Sequence, residues 1–342
     1  MRAIAYLKSL PITDAEALVD IDLDRPEPGP RDLIVKVEAV SVNPVDYKVR
    51  KSNDPAGTPR VLGFDAAGTV VATGSAARLF KPGDAVFYAG SIMRPGTNSE
   101  FHAVDERIVG RKPASLNSAE AAALPLTALT AWELLFDRIG VVPGVTTDTR
   151  SLLIVSGAGG VGSIAIQLAR ALTGLTVIAT ASRPESVEWV KGLGAHHVVD
   201  HSQPLGPQLA ALGHTGVDIV LLLGGTKQHA GAIAELVAPE GHIGLIEGAD
   251  GFEPAHLGML FQKSVGLHFE LMFTRSRFGT RDIERQHVIL DTVASLVEAG
   301  RIRTTLTRRL SPINAATLRE AHGLGSVLIT GFPKRAERDS TS

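Results

Sequence analysis

A chain of 342 residues is longer than one hydrophobic core ordinarily serves, so two domains are expected, and 44% apolar with 20% charged residues is an ordinary globular balance. A net charge of −2 supplies no basic surplus to attract nucleic acid or an anionic membrane. The complete absence of cysteine excludes disulfides, thiolate catalysis and every thiolate-ligated metal or iron–sulfur centre.

The chain opens on short apolar pieces, among them Leu33-Ile34-Val35-Lys36-Val37 and Gly68-Thr69-Val70-Val71-Ala72, punctuated by Pro26-Glu27-Pro28-Gly29-Pro30 and Lys81-Pro82-Gly83-Asp84. Short strands between Gly/Pro turns predict a compact β barrel or sandwich up to about residue 124. From about residue 118 the composition turns Ala-rich and helical, through Glu120-Ala121-Ala122-Ala123 and then 129–136, which marks a junction. Beyond Pro143, strands are expected over 152–156, 176–180, 197–200, 218–223, 242–247 and 266–271, with helices over 160–172, 184–193, 208–212 and 228–237. Six strands alternating with helices predict a doubly wound parallel sheet, an α/β fold. A polar stretch over 274–285 leads to an amphipathic helix carrying Val288, Leu290, Val293, Leu296 and Val297, then to Val327-Leu328-Ile329, which are expected to return to the first domain. The expected division is 1–126, 127–273 and a return over 274–342, with 334–342 a frayed polar tail. No charged-then-apolar leader opens the chain, and apolar runs such as 219–223 fall short of a membrane span, so a cytoplasmic protein is expected.

One stretch carries specific chemistry. The apolar strand Leu152-Leu153-Ile154-Val155-Ser156 runs into Gly157-Ala158-Gly159-Gly160-Val161-Gly162 and then a helix, which is the order a dinucleotide requires. Gly157 permits the tight turn, Gly159 removes a side chain where pyrophosphate approaches the backbone, and Gly162 lets the helix pack on the strand with its first amides facing the phosphates. An NAD site ordinarily carries Asp or Glu at the end of the second strand, to bind the ribose 2′-OH. Here Thr180-Ala181-Ser182-Arg183 stands in that place, a hydroxyl and a guanidinium suited to a 2′-phosphate, so NADP(H) is favoured over NAD(H). The local alternative is a capping box, with Ser182 as N-cap and Glu185 reaching back. Gly224-Gly225 and Glu247-Gly248 follow later strands, where ligands of such sheets bind.

Several further runs occur in one order: Ser41-Val42-Asn43-Pro44-Val45-Asp46, Leu62-Gly63-Phe64-Asp65-Ala66-Ala67-Gly68, Phe80-Lys81-Pro82-Gly83-Asp84-Ala85-Val86, 123–131, and Gly194-Ala195-His196-His197-Val198-Val199-Asp200-His201. With the glycine turn, they resemble the medium-chain dehydrogenase/reductase superfamily, in particular its zinc-free quinone oxidoreductase-like branch and a subgroup named zinc-type alcohol dehydrogenase-like. The resemblance implies a GroES-like β barrel, a Rossmann domain, a cleft holding nicotinamide and substrate, and a homodimer, for which the apolar strand near 265–271 could serve as a paired edge. It also implies that Asn43 and Thr130 border the nicotinamide and that Met272 and Phe273 lie near its carboxamide; His201 is a further cofactor-binding candidate beside Ser182 and Arg183. Each residue has a plainer reading: a turn for Asn43, a backbone-bonded hydroxyl for Thr130, core for Phe64, Met272 and Phe273.

The departures from the zinc-dependent members matter equally. Where those carry a cysteine and a histidine ligand, this chain has Asn43 and Phe64, and 87–101 is too short for their four-cysteine lobe. Reducing an isolated ketone leaves an alkoxide that zinc normally stabilises. Hydride addition to a quinone or an α,β-unsaturated carbonyl leaves a delocalised anion, for which hydrogen-bond donors and a proton source suffice. Tyr47 is the candidate proton donor, with packing as its alternative. The expected activity is therefore NADPH-dependent reduction of quinones or enones, without a metal and without nucleic-acid or membrane partners. A zinc-type alcohol dehydrogenase and a non-enzymatic NADPH-binding or sensing protein are the competing readings.

Overall fold

A computed structural model describes residues 1–324 and 327–332. The expected polar tail at 334–342 lies outside them. The chain forms two compact units: 1–126 with 273–298 and 304–342, and 127–272 with 299–303. The return over 274–342 is thus interrupted, since 299–303 clusters with the second unit.

The first unit opens with β1 (Arg2–Tyr6), β2 (Val19–Asp22), β3 (Asp32–Val42), α1 (Pro44–Ser52), β4 (Arg60–Val61), β5 (Asp65–Thr73), β6 (Ala85–Ala89), β7 (Phe101–Asp105) and β8 (Val109–Arg111). A three-stranded sheet runs β2-β1-β4. The eleven-residue β3 organises the other sheet, pairing antiparallel with β5 and β7 and shifting register against β5 after Ile34 and Val37. Such irregularities bend and twist a strand, as a closing barrel requires. Next come α2 (Ser118–Ala122), α3 (Pro125–Trp132) and a π-helical turn, Glu133–Arg138. The run 118–138 is long and apolar enough to cross a bilayer, contrary to the expectation that no segment reaches that length. Its apolar window is 94% buried within the protein, so the length reflects a core helix.

The second unit continues with β9 (Ser151–Val155), α4 (Gly160–Leu172), β10 (Thr176–Thr180), α5 (Pro184–Gly192), β11 (His197–Val199), α6 (Leu205–Ala211), β12 (Val217–Leu222), α7 (Thr226–Leu236), β13 (Val237–Leu245), α8 (Pro254–Gln262) and β14 (Gly266–Phe269). All pairings are parallel, in the order β11-β10-β9-β12-β13-β14. This is the doubly wound arrangement expected from the strand–helix alternation. β9 is buried at every residue and β12 at all but Asp218. Helices on both faces explain why those strands read as continuous apolar runs rather than alternating ones. Leu153, Val155, Val220, Leu222, Ile233 and Ile243 share one core cluster there.

After the sheet come α9 (Thr274–Phe278), α10 (Arg285–Glu298), β15 (Arg309–Leu310), α11 (Ala315–Leu324) and β16 (Val327–Thr330). The polar stretch expected over 274–285 in fact holds a helix. It buries Arg275, whose guanidinium pairs with Asp282 at 3.0 Å. β16 pairs antiparallel with β3 and so joins a late strand to the first unit's larger sheet. His287, on α10, is a packing residue, its Nδ1 2.7 Å from the Val109 carbonyl and its ring edge-on to Phe80.

Candidate functional site

At the C-terminal end of β9 the backbone turns sharply. Ser156 adopts φ 64°, a left-handed conformation costly for a non-glycine residue, and its N–H is held by Thr180 Oγ1 at 3.0 Å. A Cβ on Gly157 would stand 2.9 Å from the Ala179 Cβ, and one on Gly162 would stand 2.5 Å from the Ser156 carbonyl oxygen and 2.7 Å from that of Gly157. A Cβ on Gly159 would meet only the Ser156 oxygen, at 3.2 Å. Gly157 and Gly162 therefore serve close packing, and Gly159, the N-cap of α4, leaves open backbone at the helix start. Ala158, Gly160 and Val161 complete that turn, whose free helix amides suit an anion.

The sheet's strand order reverses between β9 and β12, the switch point where such sheets bind ligands. Gly224, after β12, lies against the turn: a Cβ there would be 3.2 Å from Ser156 Oγ. On the other side of β9, Ser182 Oγ is 3.5 Å from His201 Nε2, and the His201 ring meets His229 edge-on at 6.1 Å. The capping-box reading of Ser182 is overturned. Arg183 is the N-cap of α5, with Pro184 in the first turn and no side-chain cap bond. Proline's fixed φ starts that helix one residue later and leaves Ser182 and Arg183 exposed at the sheet's end. Two buried polar atoms here lack partners, His201 Nδ1 and Thr226 Oγ1. Burial, and then the neighbouring His201, lower the His229 pKa. Gly248, after β13, faces open space apart from Asp250. Thr130, on α3, and Met272 are both buried.

The first unit gathers a second set. Asn43 is the N-cap of α1, as its turn reading anticipated, and its backbone N–H donates to Asp46 Oδ2 at 2.7 Å. Its side-chain Nδ2 donates to Asp65 Oδ2 at 2.8 Å, while Asp65 Oδ1 accepts from the Leu126 N–H at 2.7 Å. Asp46 Oδ1 accepts from the Gly63 N–H at 3.1 Å. Both carboxyls are fully buried. Burial pushes Asp46 up to about 7 against the bonds from Asn43 and Gly63, and holds Asp65 well above the carboxylate range. The rings of Phe64 and Phe273 pack with centroids 4.8 Å apart. Tyr47, on α1, is half-buried, with Lys51 Nζ 5.5 Å from its ring centre.

Several of these residues are not marked by the sequence reading: Asp46 and Asp65 behind Asn43, and Ser156, Thr180, Thr226 and His229 around the turn. The Asn43-x-x-Asp46 spacing is a capping signal that could have flagged Asp46. Asp65 carries no local signal, because its partners stand 22 and 61 residues away.

Residues 29–114 match an alcohol dehydrogenase GroES-like domain and 160–286 a zinc-binding dehydrogenase domain. A zinc-type alcohol dehydrogenase-like protein of Staphylococcus epidermidis is 38% identical over 94% of this chain and 95% of its own. A crystal structure from Rhizobium etli, named for a zinc-dependent alcohol dehydrogenase, is 56% identical with a TM-score of 0.91, covering 98% of this chain and 99% of that one. A quinone oxidoreductase of Pseudomonas syringae is 26% identical with a TM-score of 0.78 over 96% of this chain and 99% of its own. The first unit's β domain is thus GroES-like and the second Rossmann-like. Zinc, implied by some of these names, does not fit the donors present. There is no cysteine, Asn43 and Phe64 offer a bonded amide and a packed phenyl ring, and among the described residues no three His, Asp or Glu side chains gather as ligands.

Proposed function

Given that the chain belongs to the medium-chain dehydrogenase/reductase superfamily of oxidoreductases, which use nicotinamide cofactors, we propose that it reduces quinones or α,β-unsaturated carbonyls with NADPH and without zinc. The observation that carries this reading is the packing at Asn43 and Phe64, whose amide is bonded to a carboxyl and whose ring is in contact with Phe273, at two residues where the resemblance implies that zinc-dependent members carry metal ligands. The 2′-phosphate reading rests on exposed Ser182 and Arg183 beside His201, with no carboxylate on either of the first two.

When bound, NADPH supplies a hydride from its nicotinamide. In this reading, the amides of the turn from Gly157 to Gly162 bind its pyrophosphate, Gly224 and Gly248 leave room for its backbone, and the main chain at Met272 and Phe273 receives its carboxamide. Thr130 serves the nicotinamide ribose. Asn43, held by Asp46 and Asp65 in one orientation, directs its amide to the acceptor oxygen, and Phe64 and Phe273 give the acceptor an apolar wall. Hydride addition leaves an enolate or hydroquinone anion. The Tyr47 hydroxyl donates a proton to that anion and recovers one from solvent.

We also place the protein in the cytoplasm as a homodimer. Among the described residues β14 has one neighbour in its sheet, and Phe269 at its end and Leu271 just beyond are exposed, which suits pairing with a second copy. The reaction is tested by its product. A simple enone with NADPH should yield the saturated ketone; an allylic alcohol would mean carbonyl reduction and refute the proposal.

A further inference from the structure

Within the second unit, the register of two parallel strands sets His201 beside Ser182. β10 and β11 are neighbours with Thr180 opposite Val199, so Ser182 and His201 each stand two residues past that pair, at the same end of the sheet. There Ser182 Oγ lies 3.5 Å from His201 Nε2. The backbone around His201 is clamped. Asp200 Oδ1 accepts from the Ser202 N–H at 2.8 Å and from Ser202 Oγ at 2.7 Å, while Gln208 bonds the N–H and the carbonyl of Asp200 at 2.8 and 2.9 Å. From α7, the His229 ring meets the His201 ring edge-on at 6.1 Å, in space left by Gly225, where a Cβ would stand 3.2 Å from His229 Cδ2.

The two nitrogens of this ring have different surroundings. Among the described residues Nδ1 is buried with no hydrogen-bond partner, whereas Nε2 faces Ser182. An orphaned buried N–H is rarer in folded proteins than an orphaned acceptor, so the proton belongs on Nε2 and Nδ1 keeps its lone pair. An imidazolium would place a second N–H on Nδ1, so the ring is neutral. With Nε2–H toward Ser182, the serine oxygen is on the accepting side and its own proton turns outward. A separation of 3.5 Å is long for such a bond, ordinarily about 2.9 Å, and leaves both groups able to serve a ligand. Two donors so spaced bracket one oxygen about 2.8 Å from each. Next to Ser182, exposed Arg183 supplies a permanent positive charge.

We propose that His201 determines cofactor specificity as a neutral N–H donor to the 2′-phosphate, its tautomer set by the partnerless Nδ1, with Ser182 as the second donor. The proposal rests on the NADPH reading above. Charge comes from Arg183, which does not titrate in the working range, and direction comes from His201, which needs no protonation to donate. Preference for NADPH over NADH therefore persists above neutral pH, unlike that of a site whose histidine must be charged to hold phosphate. Among the described residues, the titratable and charged groups around the ring are Asp200 beside it in the chain, Arg183 next to Ser182, and His229 on α7. Bonds from Ser202 hold Asp200 below its ordinary value, so it stays ionised, and burial lowers His229, so it is neutral above pH 7. A phosphate completes its second ionisation near pH 6. No group at the site then changes charge between about pH 7 and about pH 9.

The experiment has two readouts. Long-range proton–nitrogen NMR on protein carrying 15N-histidine, with His201→Gln assigning the ring, shows which nitrogen holds the proton at about pH 7.5. Fluorescence titrations give NADPH and NADH affinities from about pH 7 to about pH 9 for wild type, His201→Gln and His201→Phe, with melting temperatures to check each fold. The expected spectrum has one proton, on Nε2, and the ratio of NADPH to NADH affinity is constant across the range. His201→Phe should lose about tenfold in NADPH affinity and none in NADH affinity, while His201→Gln, whose amide replaces the N–H donor, keeps most of the preference. A proton on Nδ1, a charged ring in the NADPH complex, a ratio that falls with pH, or an undiminished preference in His201→Phe would overturn the proposal. Equal wild-type affinities for the two cofactors would instead remove the 2′-phosphate reading and the proposal with it, and the spectrum of the free protein would still decide the tautomer.

Discussion

Replacing Gly162 and Gly159 with alanine separates packing from cofactor binding in one six-residue turn. At Gly162 the added methyl would sit 2.5–2.8 Å from three backbone atoms of Ser156 and Gly157. Backbone cannot rotate aside as a flexible side chain does, so α4 must move from β9. Such overpacking costs about 1–3 kcal/mol. At about 2–4 °C per kcal/mol for a domain of this size, the second unit should melt some degrees lower. At Gly159 the methyl would meet a single atom at 3.2 Å, and the backbone there, φ −71° and ψ 170°, is open to any residue. Gly159→Ala should therefore melt within about 1 °C of wild type yet lose NADPH affinity by about tenfold or more, because its methyl projects where pyrophosphate must approach. Thermal melts and NADPH titrations on both variants decide the matter. Equal destabilisation by the two alanines, or unchanged affinity in Gly159→Ala, would refute the assignment of the turn.

Three other substitutions probe separate parts of the site. Arg183 is exposed and caps α5 through its backbone alone, so Arg183→Ala should leave melting unchanged, weaken NADPH by about tenfold and spare NADH; equal effects on the two cofactors would remove Arg183 from the 2′-phosphate site. Asp46 is raised from 3.8 to about 7 in the folded protein, so folding favours its protonated form and its contribution to stability falls as pH climbs between those values, by at most about 4 kcal/mol. Whatever Asp46→Asn costs in hydrogen bonding, the melting difference should shift in the variant's favour from about pH 4 to about pH 8, and a difference independent of pH would contradict the burial argument. Tyr47→Phe should lower kcat on enones by about a hundredfold with NADPH affinity intact, and an unchanged kcat would assign the proton to solvent.

The parallel sheet was legible because strands buried on both faces must be apolar throughout, as in Leu152-Leu153-Ile154-Val155, and because the glycines that follow have few other uses. Start signals were less decisive. Ser182-x-x-Glu185 has capping-box spacing, but Pro184 supplies a preset φ and moved the cap to Arg183. The stretch over 274–285 reads only as polar, with no periodicity to announce a helix, yet the pairing of buried Arg275 with Asp282 accompanies a short helix there. Least legible were the buried carboxyls. Asp65 joins Asn43 and Leu126, and Glu270 joins Arg138 across 132 residues, and no local pattern announces a partner that tertiary structure supplies.

The most direct test of zinc-free, NADPH-dependent reduction is the rate of NADPH and NADH oxidation by benzoquinone, phenanthrenequinone and a simple enone, on protein treated exhaustively with chelator. The account predicts turnover that survives chelation and prefers NADPH. Turnover abolished by the chelator and restored by zinc would contradict it, as would tight NADPH binding with no turnover on any acceptor.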